Sequence, residues 1–119
     1  MQDAADPLKT RLRADIKAAM RARDADETRL LRALLAAIDN AQAVPLDQAM
    51  PSGRVGQTAL ELPRVPLSEA DIHALLTGEM AERARAADAM AAHGAAHGHA
   101  DRVARLRAEI ATIRRYLAA

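Results

Sequence analysis

Between Leu8 and Gln42, apolar residues return every three or four positions in two successive runs. Leu8, Leu12, Ile16, Ala19 and Met20 fall on one side of a first helix, and Leu30, Leu31, Leu34, Leu35 and Ile38 form a broader stripe on a second. The spacing predicts helices over residues 7–23 and 27–43. Asp6 and Pro7 suit the N-cap and first turn of helix 1, cations up to Arg23 suit its C-terminus, and Asp26 is placed to cap helix 2 with Glu27 behind it. So short an acidic turn between two amphipathic helices makes an antiparallel pair.

The pattern then breaks. Pro45, Pro51, Gly53, Gly56, Pro63 and Pro66 crowd residues 44–67, which read as a long irregular loop pinned by Val55, Leu60, Leu62 and Val65. Ser68 and Asp71 approximate a capping box and open a third helix over 69–93, with Ile72, Leu76, Met80, Ala87 and Met90 on its inner seam and a local kink expected at Gly78. Val103, Leu106, Ile110, Ile113 and Leu117 alternate three and four residues apart along a fourth helix, 101–117, as in the seam of a two-helix coil. The Gly94–Gly98 turn folds these two helices into a second hairpin. The expectation is an all-α, four-helix single domain over 1–119, made of two antiparallel helical hairpins with a Pro-rich loop between helices 2 and 3.

Composition sharpens this picture. Alanine, the best helix former, is about a quarter of the chain, and one tyrosine is the sole aromatic, so the core is aliphatic. With no cysteine there is no disulfide, no thiolate nucleophile and no cysteine-based zinc site. A net charge of +1 gives no bulk attraction to nucleic acid. The acidic, polar N-terminus does not read as a signal peptide and no run has the length of a membrane span, so a cytoplasmic protein without membrane contact is expected.

Few residues carry candidate chemistry. Lys9, Arg13, Lys17 and Arg21 recur every fourth residue on helix 1, and with Arg102 and Arg105 on helix 4 they are candidates for contact with nucleic acid or a partner. The competing view is a solvated face, since acids interrupt it and no aromatic platform stands beside it. Arg83 falls on or beside an apolar seam, and counting back from the turn sets it opposite Glu109. A structural pair fixing the hairpin's register is one outcome, and a guanidinium reaching past the seam to water is the other. His93, His97 and His99 have partial metal-ligand spacing, but Gly94 interrupts the helix, and a solvated, histidine-decorated turn is favoured over a metal site. No nucleophile elbow or phosphate-cradling loop is present, so neither catalytic residues nor a cofactor are assigned.

Several short motifs, in order, resemble the GatB/YqeY domain family. They are Asp15-x-Lys17-x-Ala19-Met20, then Asp24, then Leu31-Arg32-x-Leu34-Leu35-Ala36-Ala37-Ile38-x-Asn40, then Met80-Ala81-Glu82-Arg83, and finally Gly98-x-x-Asp101 with Ala108-Glu109-Ile110-x-x-Ile113-x-x-Tyr116-Leu117. The match is to the family's first helical domain and spans most of the chain outside the Pro-rich loop. The chain departs from the pattern at His99, where an arginine is usual, in the apparently duplicated turn 91–98, and in stopping before the family's C-terminal tail domain. The resemblance implies a helical module associated with tRNA-dependent amidotransferase or other tRNA-handling machinery, through a protein partner or through tRNA, the latter weakened by the missing tail. A homodimer built on the Leu and Ala stripes of helices 2 and 4 is the alternative. A third reading takes the family label literally, as carbon–nitrogen ligase activity with glutamine as nitrogen donor.

Overall fold

A computed structural model of the chain describes residues 3–43, 64–93 and 98–118. Its helices are α1 (Ala5–Arg21), α2 (Ala25–Gln42), α3 (Glu69–Ala92) and α4 (His99–Ala118). The first two pack as one hairpin and the last two as another, with no strand among the described residues. The fold is therefore all-α, as the periodicity predicts. No helix among the described residues is long and apolar enough to cross a membrane. Residues 44–63 of the Pro-rich stretch, with Val55, Leu60 and Leu62, lie outside the described residues.

The core is aliphatic. Leu12 and Ile16 of α1 meet Leu30, Leu31, Leu34 and Ile38 of α2, and Leu76, Ile113 and Tyr116 close it from the second hairpin. Each fully buried leucine or isoleucine contributes about 1.5–3 kcal/mol relative to exposure. The leucine stripe of α2, expected as a self-association surface, is instead buried inside the chain. Residues 81–112 contribute no member to this core cluster among the described residues, so the turn-proximal part of the second hairpin lies beyond it.

Several helix boundaries differ from expectation, each for a local reason. α1 starts at Ala5, which makes Asp6 and Pro7 residues of its first turn rather than cap and first position. Proline is tolerated there because the first-turn N–H groups have no intrahelical acceptor. Helix α2 is capped by Asp24, not Asp26: the Asp24 carboxylate accepts the Glu27 N–H at 3.0 Å. Ser68 and Asp71 form the full capping box of α3, which runs unbroken through Gly78. The fourth helix begins two residues earlier than predicted, at His99.

A polar clasp joins the N-terminus, the open end of the first hairpin and the entry to α3. Lys9, only 3% exposed, donates to Gln42 Oε1 at 2.7 Å and more distantly to Asp39 at 3.4 Å. Gln42 Nε2 in turn donates to Asp3 Oδ2 at 2.7 Å. The other Asp3 oxygen accepts the N–H groups of Ala5 at 3.0 Å and Leu67 at 3.1 Å. Backbone bonds from Ala4 N to Leu67 O and from Val65 N to Gln42 O complete the seam. Leu67 is thus the side chain that anchors the end of the Pro-rich stretch, whereas Val65, expected in that role, is 41% exposed.

The N–H groups of Leu67 and then Ala5 hold the Asp3 carboxyl below its ordinary value of 3.8, against a smaller opposing effect of burial. A carboxylate depressed in the folded state adds stability that is present above its unfolded pKa and lost as pH falls through the folded value. Asp3→Asn is expected to flatten the decline of stability below about pH 4. Urea denaturation at a series of pH values tests this, and a variant whose acid limb keeps the parent's slope contradicts it.

Candidate functional site

The basic positions of α1 do not share one environment. A four-residue step turns the helix by about 400°, so successive positions drift by about 40°. Lys9 therefore lies at the α2-facing edge and is buried in the clasp, which removes it from the proposed contact surface. Arg13, Lys17 and Arg21 drift progressively outward and are exposed, with no ion pair among the described residues. Most acids of the same hairpin are engaged, Asp6 being exposed with no side-chain bond among the described residues: Asp15 accepts from Tyr116, Asp24 caps α2, Asp26 pairs with Arg29 at 3.2 Å, Glu27 pairs with Arg115 at 3.1 Å, and Asp39 pairs with Lys9 and with Arg64 at 3.6 Å. The exposed cations without an ion pair outnumber the exposed acids without one.

The turn between α1 and α2 extends this surface. Arg23 N donates to Met20 O and Asp24 N to Ala19 O, the paired bonds of a Schellman ending. That motif places its C′ residue in the left-handed region, where glycine is usual, and here Arg23 occupies it with φ 58°. A residue with a Cβ is strained in that region by roughly 1–2 kcal/mol. Beside it, Met20, expected on the buried face of helix 1, is 52% exposed. Its position is one step past the core-facing edge, and Thr28 and Arg32 of α2 line the same depression. Met20, Arg23, Asp24, Thr28, Arg29 and Arg32 line an open depression of about 590 Å³, and Arg32 Nη2 lies 3.5 Å from the Met20 sulfur. Sequence reasoning missed these arginines. The usable signal was the three-residue spacing of Asp24 and Glu27, which marks Asp24 as the cap and leaves Arg23 at the left-handed position.

On α4 the arginines divide in the same way. Arg105 reaches Asp26 at 3.5 Å and Arg107 reaches Asp88 at 3.8 Å, while Arg102 and Arg114 are exposed without an ion pair among the described residues. Arg105 and Arg115 both reach acids at the start of α2, so Arg105 is already paired within the chain, whereas Arg102 is not.

The structure brings Arg83 and Glu109 together. Arg83 Nε donates to Glu109 Oε1 at 2.8 Å, and Nη1 donates to the Glu79 carboxylate at 2.9 Å and the Glu79 carbonyl at 3.0 Å. With 16% of its side chain exposed, the guanidinium is held between two acids rather than extended to water. Burial by itself lowers the Arg83 pKa, and the hydrogen bonds to Glu79 and Glu109 outweigh it, leaving the net shift upward. Such a group is a fixed positive charge that links the two helices.

Tyr116 meets Asp15 across the two hairpins, its hydroxyl donating to the carboxylate while Arg11 stacks 4.4 Å from the ring centroid. Burial and then the bond to Asp15 push the phenol well above its usual 10, so it stays protonated as a donor. Among the described residues no three histidine, aspartate or glutamate side chains stand close enough to hold a metal ion. His93 is exposed beyond α3, His99 opens α4 partly buried, and His97 lies outside the described residues. Compared with models of protein families, with curated proteins and with solved structures, the chain finds no match.

Two substitutions separate structural from surface cations. Lys9→Met is expected to cost about 1–3 kcal/mol by leaving the Gln42 carbonyl without its donor, whereas Lys17→Ala stays within about 0.5 kcal/mol of the parent. Equal losses in chemical denaturation contradict this division. Arg83→Met is expected to cost about 1–2 kcal/mol, less than a fully buried pair because all three side chains keep some exposure. Adding Glu109→Leu recovers part of that loss. Strictly additive effects of the two changes mean the pair contributes no coupling.

Proposed function

We propose that the chain is a non-catalytic helical binding module similar to the GatB/YqeY family, which serves a tRNA-handling complex, a tRNA-dependent amidotransferase among the candidates, by engaging a protein partner. One observation supports a binding role above the others: on the first hairpin most acids are already occupied by a cap or by ion pairs, leaving Arg13, Lys17, Arg21, Arg23 and Arg32 exposed with no ion pair among the described residues. An arrangement that orders its own negative charges and presents its positive ones suits an anionic partner. Asp15 meets Tyr116, Arg83 meets Glu109, and Met20, Asp24 and Arg32 line one depression.

Affinity capture from a native extract, with and without RNase, tests the reading. A partner protein retained after RNase is the expected result. Direct binding of labelled tRNA, followed by anisotropy, is expected to be weak and to fall steeply as salt rises. A partner lost on RNase treatment together with salt-resistant tRNA binding makes the module an RNA binder instead. Release of ammonia from glutamine by the isolated chain replaces the binding role with the ligase-type activity.

A further inference from the structure

We infer that the depression at the α1–α2 turn is a docking site for an acidic segment of a partner protein, seated by one apolar side chain on Met20 and flanked by carboxylates that reach Arg23, Arg29 and Arg32. The inference rests on the binding-module reading and names the chemistry of the partner.

The floor and rim fit such an occupant. Among the described residues Met20 and Val65 are the large apolar side chains left exposed, and of the two Met20 lies among arginines in a concave surface. An unbranched, polarisable thioether adapts to varied apolar side chains, which suits a peptide anchor. Of the three guanidiniums, Arg29 alone has an ion pair among the described residues, an exposed one with Asp26 at 3.2 Å that an incoming carboxylate can exchange. Asp24 is the one acid lining the depression, and its side chain already accepts the Glu27 N–H. The local balance is therefore positive.

Arg23 adds an independent observation. Its left-handed backbone, φ 58°, is the conformation that favours glycine, yet it carries a long, exposed cationic side chain that lines the depression. Strained backbone of this kind clusters at ligand clamps and switch regions, and here it falls beside a concave surface. A nucleic acid fits the depression less well. Its floor is apolar, no aromatic ring lines it for base stacking, and Tyr116, the sole aromatic, is buried against Asp15 and Arg11 elsewhere on α1.

Arg23→Gly separates a binding role from a structural one, because glycine relieves the left-handed strain. The variant is expected to melt at or above the parent's temperature while losing affinity. The probe is a fluorescein-labelled peptide of about a dozen residues with a central leucine flanked by glutamates. Controls replace the leucine with serine or the glutamates with lysine. Anisotropy with the full chain is expected to show binding of the glutamate–leucine peptide that weakens about threefold to tenfold in Arg23→Gly and again in Arg32→Gln. Both control peptides are expected to bind more weakly than the parent peptide. Arg114→Gln, away from the depression, is expected to leave binding unchanged.

Peptide binding indifferent to Arg23→Gly and Arg32→Gln, or equal for the lysine-flanked control, overturns the site. Capture of the partner by the same variants then shows whether the module reading survives, since a partner held equally well by parent and variants binds elsewhere on the chain. Labelled tRNA that binds in place of the peptide and is lost in Arg23→Gly assigns the depression to nucleic acid and overturns the peptide proposal.

Discussion

A lysine ammonium withdrawn from water must be matched where it sits, and Lys9 is matched by the groups that close the first hairpin. Its bond to Gln42 fixes that amide, the amide orients Asp3, and Asp3 receives the backbone of Leu67. One buried charge thereby orders the N-terminus, the end of α2 and the entry to α3. The hydrophobic contacts of Leu76, Ile113 and Tyr116 supply most of the attraction between the hairpins, but contacts of that kind tolerate sliding. The clasp supplies the direction, since hydrogen bonds fail within a few tenths of an ångström and tens of degrees.

The second hairpin is organised differently. Its turn-proximal part, beyond Met80 and before Ile113, stands outside the core cluster, and Ala87 is its one fully buried position among the described residues. Small side chains let the α3 and α4 axes approach closely there. The Arg83 guanidinium between Glu79 and Glu109 then sets the register that a uniform Ala-rich seam specifies poorly. Both hairpins thus use one enclosed cation to fix geometry around an aliphatic interior, and a near-neutral total charge conceals a surface on which several cations stand without an ion pair among the described residues.

The helices were legible because their burial repeats with the period of the helix itself: the residues from Leu30 to Ile38, and from Val103 to Leu117, announce themselves. The Ser68–Asp71 box was legible for the same reason, since both partners lie within one turn. The clasp was not. Gln42 and Asp3 are 39 positions apart and Leu67 and Asp3 are 64 apart, and nothing local distinguishes these residues from solvated polar ones. Lys9 was hidden by regularity, because an every-fourth-residue stripe looks continuous on paper while its end slides from the surface into the interior. Of the candidate site, Arg13, Lys17 and Arg21 could be read as an outward face, but Arg23 and Met20 could not. Their exposure depends on a helix that stops two residues before its cations do.

The lone phenol of Tyr116 gives the molecule an unusual optical property. With no tryptophan to mask it, all intrinsic ultraviolet emission originates at the junction of α1 with α4, where the ring lies under a guanidinium and its hydroxyl is bound to a carboxylate. A carboxylate acceptor partly quenches an excited phenol, so emission is expected to rise when the hairpins separate and the Tyr116–Asp15 bond is lost. Undocking without loss of helix thus has its own spectroscopic channel, distinct from circular dichroism, in the unmodified polypeptide.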